Sequence, residues 1–283
     1  KCKPTQSMLN ALKIIKLRAK NTITALTLMR ELSDGFQYED IEGGTETCPL
    51  CKGSRTYIEY YDKNDPDNPP DPSHPETLAE RPAPCVNCSG TGVIVKMNRT
   101  AKYVPSPKEA VLRDLLDQHE DVGRLVVYGG FQGTVDRIVQ ICHEEKWTVI
   151  RADGRGWFGQ TPTGTLLPNK KLLEIFQYEQ VIHPKVCFVG QAGAAGTGLT
   201  LTASPSILYY SNSFDGEARI QSEDRIHRLG MDVNRGATIY DIFHLPTDEL
   251  IYNNLKKKKE LQYMSMGEIE EFIKEAENAD RLF

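Results

Sequence analysis

No stretch of this chain approaches the roughly twenty apolar residues that a bilayer-spanning helix needs, so the sequence predicts no such helix. A surplus of positive charge is also missing. Lys and Arg number 34 against 39 Asp and Glu, a formal net charge of −5. That excludes a polycationic nucleic-acid coat and leaves phosphate contact to local patches and backbone dipoles. Nowhere is there a Gly-Lys-Thr/Ser phosphate loop, nor an Asp-Glu-x-His strand end. Those parts hold a triphosphate and its Mg(II) in phosphate-loop enzymes, so the chain carries no complete site of that kind. The seven cysteines are odd in number and lack an even spacing, which argues against a secreted disulfide scaffold. The length allows one large domain or two smaller ones, with a sizeable core.

Four of those cysteines do carry a pattern. Cys48-Pro-Leu-Cys51-Lys-Gly53 and Cys85-Val-Asn-Cys88-Ser-Gly90 are two copies of C-x-x-C-x-G. Glycine two places after the second cysteine suits a knuckle whose backbone N–H groups turn toward sulfur. Two knuckles supply four thiolates, the donor set of a closed, structural Zn(II) site at Cys48, Cys51, Cys85 and Cys88. Disulfides or free thiols are the alternatives. The repeats resemble the zinc modules of DnaJ chaperones, and Cys85 to Gly92 carries both glycines of that repeat. Between the pairs, residues 62–84 are rich in Pro, Asp and Asn and read as a long loop. Residues 57–61 and 92–96 flank it as β-like runs, giving a ribbon of two arms. His74, inside the loop, reads as an exposed histidine. Cys2, Cys142 and Cys187 read as terminal, helix-packed and strand-core residues.

Downstream the pattern becomes α/β. Val186–Val189 is a short, apolar, β-branched-rich run, as expected of a buried parallel strand; Arg124–Tyr128 and Thr148–Arg151 read as strands too, and Thr238–Phe243 as an alternating one. A helix is predicted over 134–145, and right-handed crossovers follow from units of this size. Glycine-rich turns follow the strands at Gly129-Gly130 and at Gly193, Gly196 and Gly198. Such turns let backbone amides approach phosphate, although any turn after a strand also needs glycine. Then comes Arg219-Ile-Gln-Ser-Glu-Asp-Arg-Ile-His-Arg-Leu-Gly230. Read as a helix, it brings Gln221, Asp224, Arg225 and Arg228 to one edge, where two guanidinium forks could meet a phosphate chain. The plainer alternative is a solvated, charged helix face.

Taken in order, these motifs resemble the C-terminal RecA-like lobe of superfamily 2 helicases and translocases, in the version carried by Swi/Snf-type ATPases. The last motif of that family is Gln, two residues, Asp-Arg, any residue, His-Arg, an apolar residue and Gly. Gln221, Asp224, Arg225, His227, Arg228, Leu229 and Gly230 match it, with Met231 where Gln is usual. The glycine loop is similar to Ala-Gly-Gly-x-Gly-Leu-Asn-Leu-Thr: Gly196, Gly198, Leu199, Leu201 and Thr202 match, while Ala195 and Thr200 replace Gly and Asn. Tyr128, Phe131, Asp153 and Gly154 match the earlier motifs, and Gly130 and Arg155 depart. Trp157–Gly159 and Thr161–Gly164 read as an insertion before a helix at Asn169. The resemblance covers roughly residues 124–261.

What the resemblance implies is specific. The fold would be a parallel α/β sheet with helices on both faces. Arg228 would be an arginine finger, with Arg225 beside it and Gln221 in the same catalytic edge. Gly196, Gly198 and Asp224 would contact nucleotide. Gly129, Gly130, Phe131, Gln132, Thr197 and Thr200 would hold a nucleic-acid backbone. ATP and Mg(II) would bind only together with an N-terminal RecA-like lobe of the same polypeptide, making this the C-terminal half of a longer chain and inactive alone. The track would be DNA, duplex favoured and RNA not excluded, and the setting intracellular. A non-enzymatic zinc-knuckle binding module on a degenerate scaffold is the alternative, and a chaperone-like zinc protein a third.

The flanks complete the expected organisation. The first forty residues show helical spacing of Met8, Leu9, Leu12 and Ile15, then Ile23, Leu26, Met29 and Arg30, with Gly35 as a stop. Packing is the plain role for these helices, with Arg18, Lys20 and Arg30 as candidate DNA contacts. Ser106 is a candidate cap for a helix over 108–119, and Thr247 for one that follows. Lys256–Lys259 is a basic run, and residues 267–279 form an acidic stretch with one apolar face. The boundaries expected are 1–47 helical, 48–104 zinc module, 105–248 RecA-like lobe and 249–283 helical brace.

Overall fold

The computed structural model describes residues 1–63, 78–194, 199–228 and 236–257. The chain divides into two compact units: Lys1–Gln37 with Ala101–Phe283, and Tyr38–Thr100. In chain order the larger unit opens with α1 (Gln6–Arg18) and α2 (Thr22–Ser33). Strands β1 (Phe36–Thr47), β2 (Thr56–Asp62), β3 (Leu78–Pro84) and β4 (Val93–Tyr103) follow. Next come α3 (Lys108–Gln118), β5 (Arg124–Tyr128), α4 (Gln132–Glu144), β6 (Thr148–Asp153) and β7 (Gly156–Gln160). A 3-10 turn at Asn169–Lys171 leads into α5 (Leu172–Tyr178), β8 (Val186–Gly190), β9 (Ser206–Tyr209), α6 (Gly216–Glu223), β10 (Thr238–Asp241) and α7 (Pro246–Lys257).

The larger unit is built on a six-stranded sheet in the order β10-β9-β5-β8-β6-β7, parallel except for β7. Every residue of β5, β8 and β9 is buried. The two-residue period of a strand sends alternate side chains to opposite faces. Leu125, Val127, Val149, Cys187, Val189 and Leu208 therefore meet α3 and α4 on one face. Val126, Tyr128, Ile150, Phe188, Ile207 and Tyr209 meet α5, Leu199, Leu201 and Ile226 on the other. Each such buried side chain contributes roughly 1.5–3 kcal/mol, and the expected parallel sheet with helices on both faces is what forms. The stretch Gly156–Gln160 is not an inserted loop. It pairs antiparallel with β6 and forms the sheet's edge, with Ala152 opposite Trp157 and Arg151 opposite Phe158.

α1 and α2 pack through Met8, Leu9, Leu12, Ile15, Ala25, Leu26, Met29 and Leu32, joined by Leu245. Thr5 and Asn21 cap them, accepting from Met8 N and Thr24 N. Ile23, placed on the apolar face by spacing, is 76% exposed, and Arg30, a candidate DNA contact, is buried. Gly35, at φ +87°, ends the helical run as expected, and the segment after it is the strand β1 rather than helix. Ser106 Oγ accepts from Lys108 N at 3.3 Å. Thr247 does not cap α7: its buried Oγ1 has no hydrogen-bond partner among the described residues. Asp248 does that work instead, its Oδ2 accepting from His244 N at 2.8 Å and Leu245 N at 3.1 Å. A carboxylate one turn into the helix reaches back as in a capping box.

In the smaller unit β1 pairs with β4, and β2 pairs antiparallel with β3 from Thr56–Pro84 to Asp62–Leu78. Residues 78–84, expected within the long loop, are thus a strand. Its prolines face Ile58 and Thr56 in a two-stranded ladder, where a missing N–H can point to solvent.

Candidate functional site

Four sulfurs form the centre of the smaller unit. Cys48, Cys51, Cys85 and Cys88 are buried, and their Sγ atoms lie within 4.8 Å of one another. Cys48 Sγ and Cys85 Sγ are 3.7 Å apart, as are Cys51 Sγ and Cys88 Sγ. Thiolates at about 2.3 Å from one Zn(II) would stand about 3.8 Å apart in a tetrahedron, so the spacing fits the ion. It does not fit a disulfide, and all seven cysteines are free thiols. The two knuckles repeat each other. Lys52 and Ser89 take φ 50° and 49°, then Gly53 and Gly90 take φ 88° and 76°. Ser54 Oγ donates to Cys51 O and Thr91 Oγ1 to Cys88 O, each at 2.7 Å. Gly92 N donates to Cys88 Sγ at 3.2 Å and Asn87 Nδ2 to Cys48 Sγ at 3.3 Å. The backbone N–H of Cys51, with the Asn87 amide, holds the Cys48 thiol down at about 6.

A cavity of about 270 Å³ opens at the carboxyl ends of β5, β8 and β9. Tyr128, Gly129 and Gly130 line it from β5, residues 191–194 from β8, Ser211 and Asn212 from β9, and Arg219 from α6. β8 and β9 flank β5 on opposite sides, so the chain's course across the sheet reverses here, which is where open α/β sheets form ligand crevices. The glycine amides predicted to approach a backbone are already engaged. Gly129 N donates to Gly190 O and Gly130 N to Ser211 Oγ, both at 2.9 Å. Phe131 caps α4, and Gln132 is exposed on its first turn. Thr200 is half-buried, its carbonyl accepting from Gln177 Nε2 at 2.6 Å. Gly196, Thr197 and Gly198 lie outside the described residues, as do Leu229 to Arg235, His74 and residues 258–283.

The arginine string is less helical than its spacing predicts. α6 stops at Glu223, with Asp224 as C-cap, and Arg225 to Arg228 continue as turns and bends. Gln221, Asp224, Arg225 and Arg228 therefore do not share one helical face. Gln221 is exposed and donates to Glu217 Oε1 at 2.9 Å, and Asp224 is exposed. Arg225 is buried behind the cavity, donating to Tyr128 Oη and Ala192 O at 3.3 Å each. Burial raises the Tyr128 phenol's pKa, and the Arg225 charge, with its hydrogen bond to the phenol, opposes that rise. Arg228 is exposed and makes no ion pair with a described residue.

No protein-family model matches the chain. Curated relatives do. Over 147 residues it is 24% identical to the CHD3-type chromatin-remodeling factor PICKLE of Arabidopsis thaliana, covering 52% of this chain and 10% of that protein. Over 191 residues it is 24% identical to the chromatin-remodeling ATPase INO80 of Drosophila melanogaster, covering 67% and 11%. Over 141 residues it is 29% identical to helicase ssl-1 of Caenorhabditis elegans, covering 48% and 6%. The chain's relatives are Swi/Snf-type ATPases. It spans about a tenth of the length of the first two. The C-terminal part of the Fun30 ATPase domain superposes with a TM-score of 0.45 at 19% identity, over 60% of this chain and 53% of that one. The sheet order itself is what establishes the fold.

Two features around the cavity were not legible from motif spacing. Arg219 lies at the cavity wall, its guanidinium 3.4 Å from the centre of the Tyr209 ring and paired with Asp241 Oδ1 at 2.6 Å and Oδ2 at 3.0 Å. Behind the cavity, Lys108 Nζ donates at 3.0 Å each to Asp34 Oδ1, Asp248 Oδ1 and the Tyr210 carbonyl. The ammonium thereby uses all three of its protons, which is what makes a buried charge tolerable. Asp34 and Asp248 lie 214 residues apart in sequence, and no local pattern announces their meeting.

Proposed function

We propose that this chain is the half of an ATP-driven nucleic-acid translocase that closes onto a nucleotide held by a second RecA-like lobe of the same polypeptide. The observation that carries the reading is the crevice at the carboxyl ends of β5, β8 and β9, with Arg225 buried behind it and Arg228 exposed on the same segment. Its relatives being ATPases supports the same reading. In this account Arg228 is the arginine finger, meeting charge that builds on the transferred phosphoryl group, an effect worth about 10³–10⁵ in rate. Arg225, tied to Tyr128 and Ala192, fixes the segment that presents it. ATP and Mg(II) then bind only once the other lobe is present, and this chain alone is inactive.

The loops at 129–132 and 196–202 would rest on the nucleic-acid backbone, because motion along a strand requires indifference to bases. Duplex DNA is the favoured track and the setting is intracellular. No helix among the described residues is long and apolar enough to cross a membrane. Cys48, Cys51, Cys85 and Cys88 would hold one Zn(II), whose contribution is to fold the smaller unit. In the full-length polypeptide, Arg228→Ala should lower ATP hydrolysis at least about 10³-fold while ATP affinity stays within a few-fold. Turnover left intact in that variant would remove Arg228 from the reaction.

A further inference from the structure

Arg30 of α2 lies between the two loops that flank the crevice. Its guanidinium carbon is 4.5 Å from the centre of the Phe131 ring and 4.7 Å from that of Phe214. Its Nη2 donates to the Asn212 carbonyl at 2.9 Å. Phe131 follows the Gly129-Gly130 turn, while Phe214 follows Asn212 in the loop after β9. One side chain thus touches both loops from behind, since Gly130 and Asn212 themselves line the cavity.

The Gly130 position explains why the loop accepts this. A Cβ there would stand 3.0 Å from Arg30 Nη2 and 3.2 Å from Ser211 Oγ. The Swi/Snf pattern carries a side chain at this place, and here the space is taken by a guanidinium arriving from α2. Asp34, at the end of the same helix, ties the same two loops. Its Oδ2 accepts from Ser211 Oγ and from Thr134 Oγ1 at 2.6 Å each, and Ser211 Oγ in turn accepts from Gly130 N. The bonds run from the Gly130 amide through Ser211 to Asp34, whose other oxygen meets Lys108. Arg30 and Asp34 belong to a segment outside the stretch, roughly 124–261, that resembles the ATPase family.

Space-filling alone does not account for Arg30. Its Nε is buried with no hydrogen-bond partner among the described residues. Burial also lowers the guanidinium's pKa, against the pull of Asp34. A methionine would fill the gap between two phenyl rings without burying an unsatisfied donor. We infer that Arg30 is a positioning residue: the α2 helix, through Arg30 and Asp34, sets the separation and orientation of the two loops that form the crevice. Its consequence for the track rests on the motor reading, because one of those loops, 129–132, is assigned there to the nucleic-acid backbone.

Amide hydrogen exchange on the 283-residue chain tests the positioning directly. Arg30→Met keeps the bulk and removes the charge and the bond to Asn212, Arg30→Lys keeps the charge, and Val149→Ala weakens the sheet core elsewhere. Arg30→Met should speed exchange at residues 129–132 and 211–215 about tenfold, leave β8 within about twofold, and be partly reversed by Arg30→Lys. Exchange in Arg30→Met matching the parent, or rising uniformly as in Val149→Ala, overturns the inference. In the full-length protein the same variant should raise the DNA concentration for half-maximal ATPase about tenfold with kcat within about twofold. A loss confined to kcat overturns the link to the track. If the parent shows no DNA-dependent ATPase, the motor reading fails, and the exchange result still decides the positioning.

Discussion

His244 shows how closely single residues are fitted around the buried ion cluster. Its ring lies beside Lys108, and its Nδ1 is 3.2 Å from the Ser33 carbonyl, which can only accept. The other nitrogen, Nε2, is buried without a hydrogen-bond partner among the described residues. Burial, with the Lys108 charge adding to it, pushes the imidazole down to about 4. An unfolded histidine titrates near 6.5. Between those values the unfolded chain takes up a proton that the folded chain refuses. Stability is therefore intact above about pH 6.5, declines as the pH falls, and stops declining below about 4, for a total of about 3 kcal/mol. His244→Gln should remove that slope, so urea unfolding of parent and variant at pH 7 and pH 4.5 should diverge by about 2 kcal/mol at the lower pH. His143, whose imidazole burial also lowers, is common to both proteins and cancels. Parallel curves would mean that His244 accepts a proton in the folded state.

At the scale of elements, legibility followed the hydrophobic pattern. β8, and β5 after Arg124, are apolar runs because both their faces are covered, and they stand where the sequence places them. β7 and β9 did not announce themselves: one is a glycine-flanked edge strand and the other only four residues long. α6 failed in the opposite sense. Helical spacing continues past Glu223, but Ile226 turns into the core beside Leu199 and Leu201, and Leu201 N bonds to Arg225 O, which ends the helix. Tertiary burial overrode local periodicity there. Entry into β5 shows the same dominance. Gly123 stands at φ +65°, and a Cβ on it would come within 1.8 Å of the Pro184 carbonyl oxygen. That carbonyl also accepts from Arg124, whose buried guanidinium donates to Phe176, Gly123 and His183 carbonyls as well. Gly123→Ala should thus cost about 3 kcal/mol or more, since backbone rather than a flexible tip must move. Gly156→Ala, at φ +96° but with nothing within 4 Å, should cost only about 1–2 kcal/mol. Equal losses in urea unfolding would show that the Pro184 loop gives way freely.

At the scale of the whole molecule, charge and core are divided unequally. Residues 38–100 hold eleven Asp and Glu against six Lys and Arg, a net charge of −5 that equals the whole chain's. Four thiolates around a divalent ion would make that unit more negative still. The larger unit, which is neutral by this count, is the better candidate for phosphate contact, and the knuckles read as scaffold. The smaller unit also lacks a core of its own: its buried side chains among the described residues are the four cysteines, with Tyr57 and Ile94 packed partly against them. Burial on that scale is small against the backbone entropy lost in ordering the described residues of the unit, whereas structural zinc in small domains contributes about 10–16 kcal/mol. One Zn(II) per chain is therefore expected in reduced protein. Removing it with a chelator should abolish amide protection throughout residues 38–63 and 78–100, leaving Val126, Val149 and Phe188 as slow to exchange as before, because their core shares no buried residue with the cysteine cluster. Protection that survived chelation would show the knuckles folding without metal, and the scaffold role of the four sulfurs would then have to be given up.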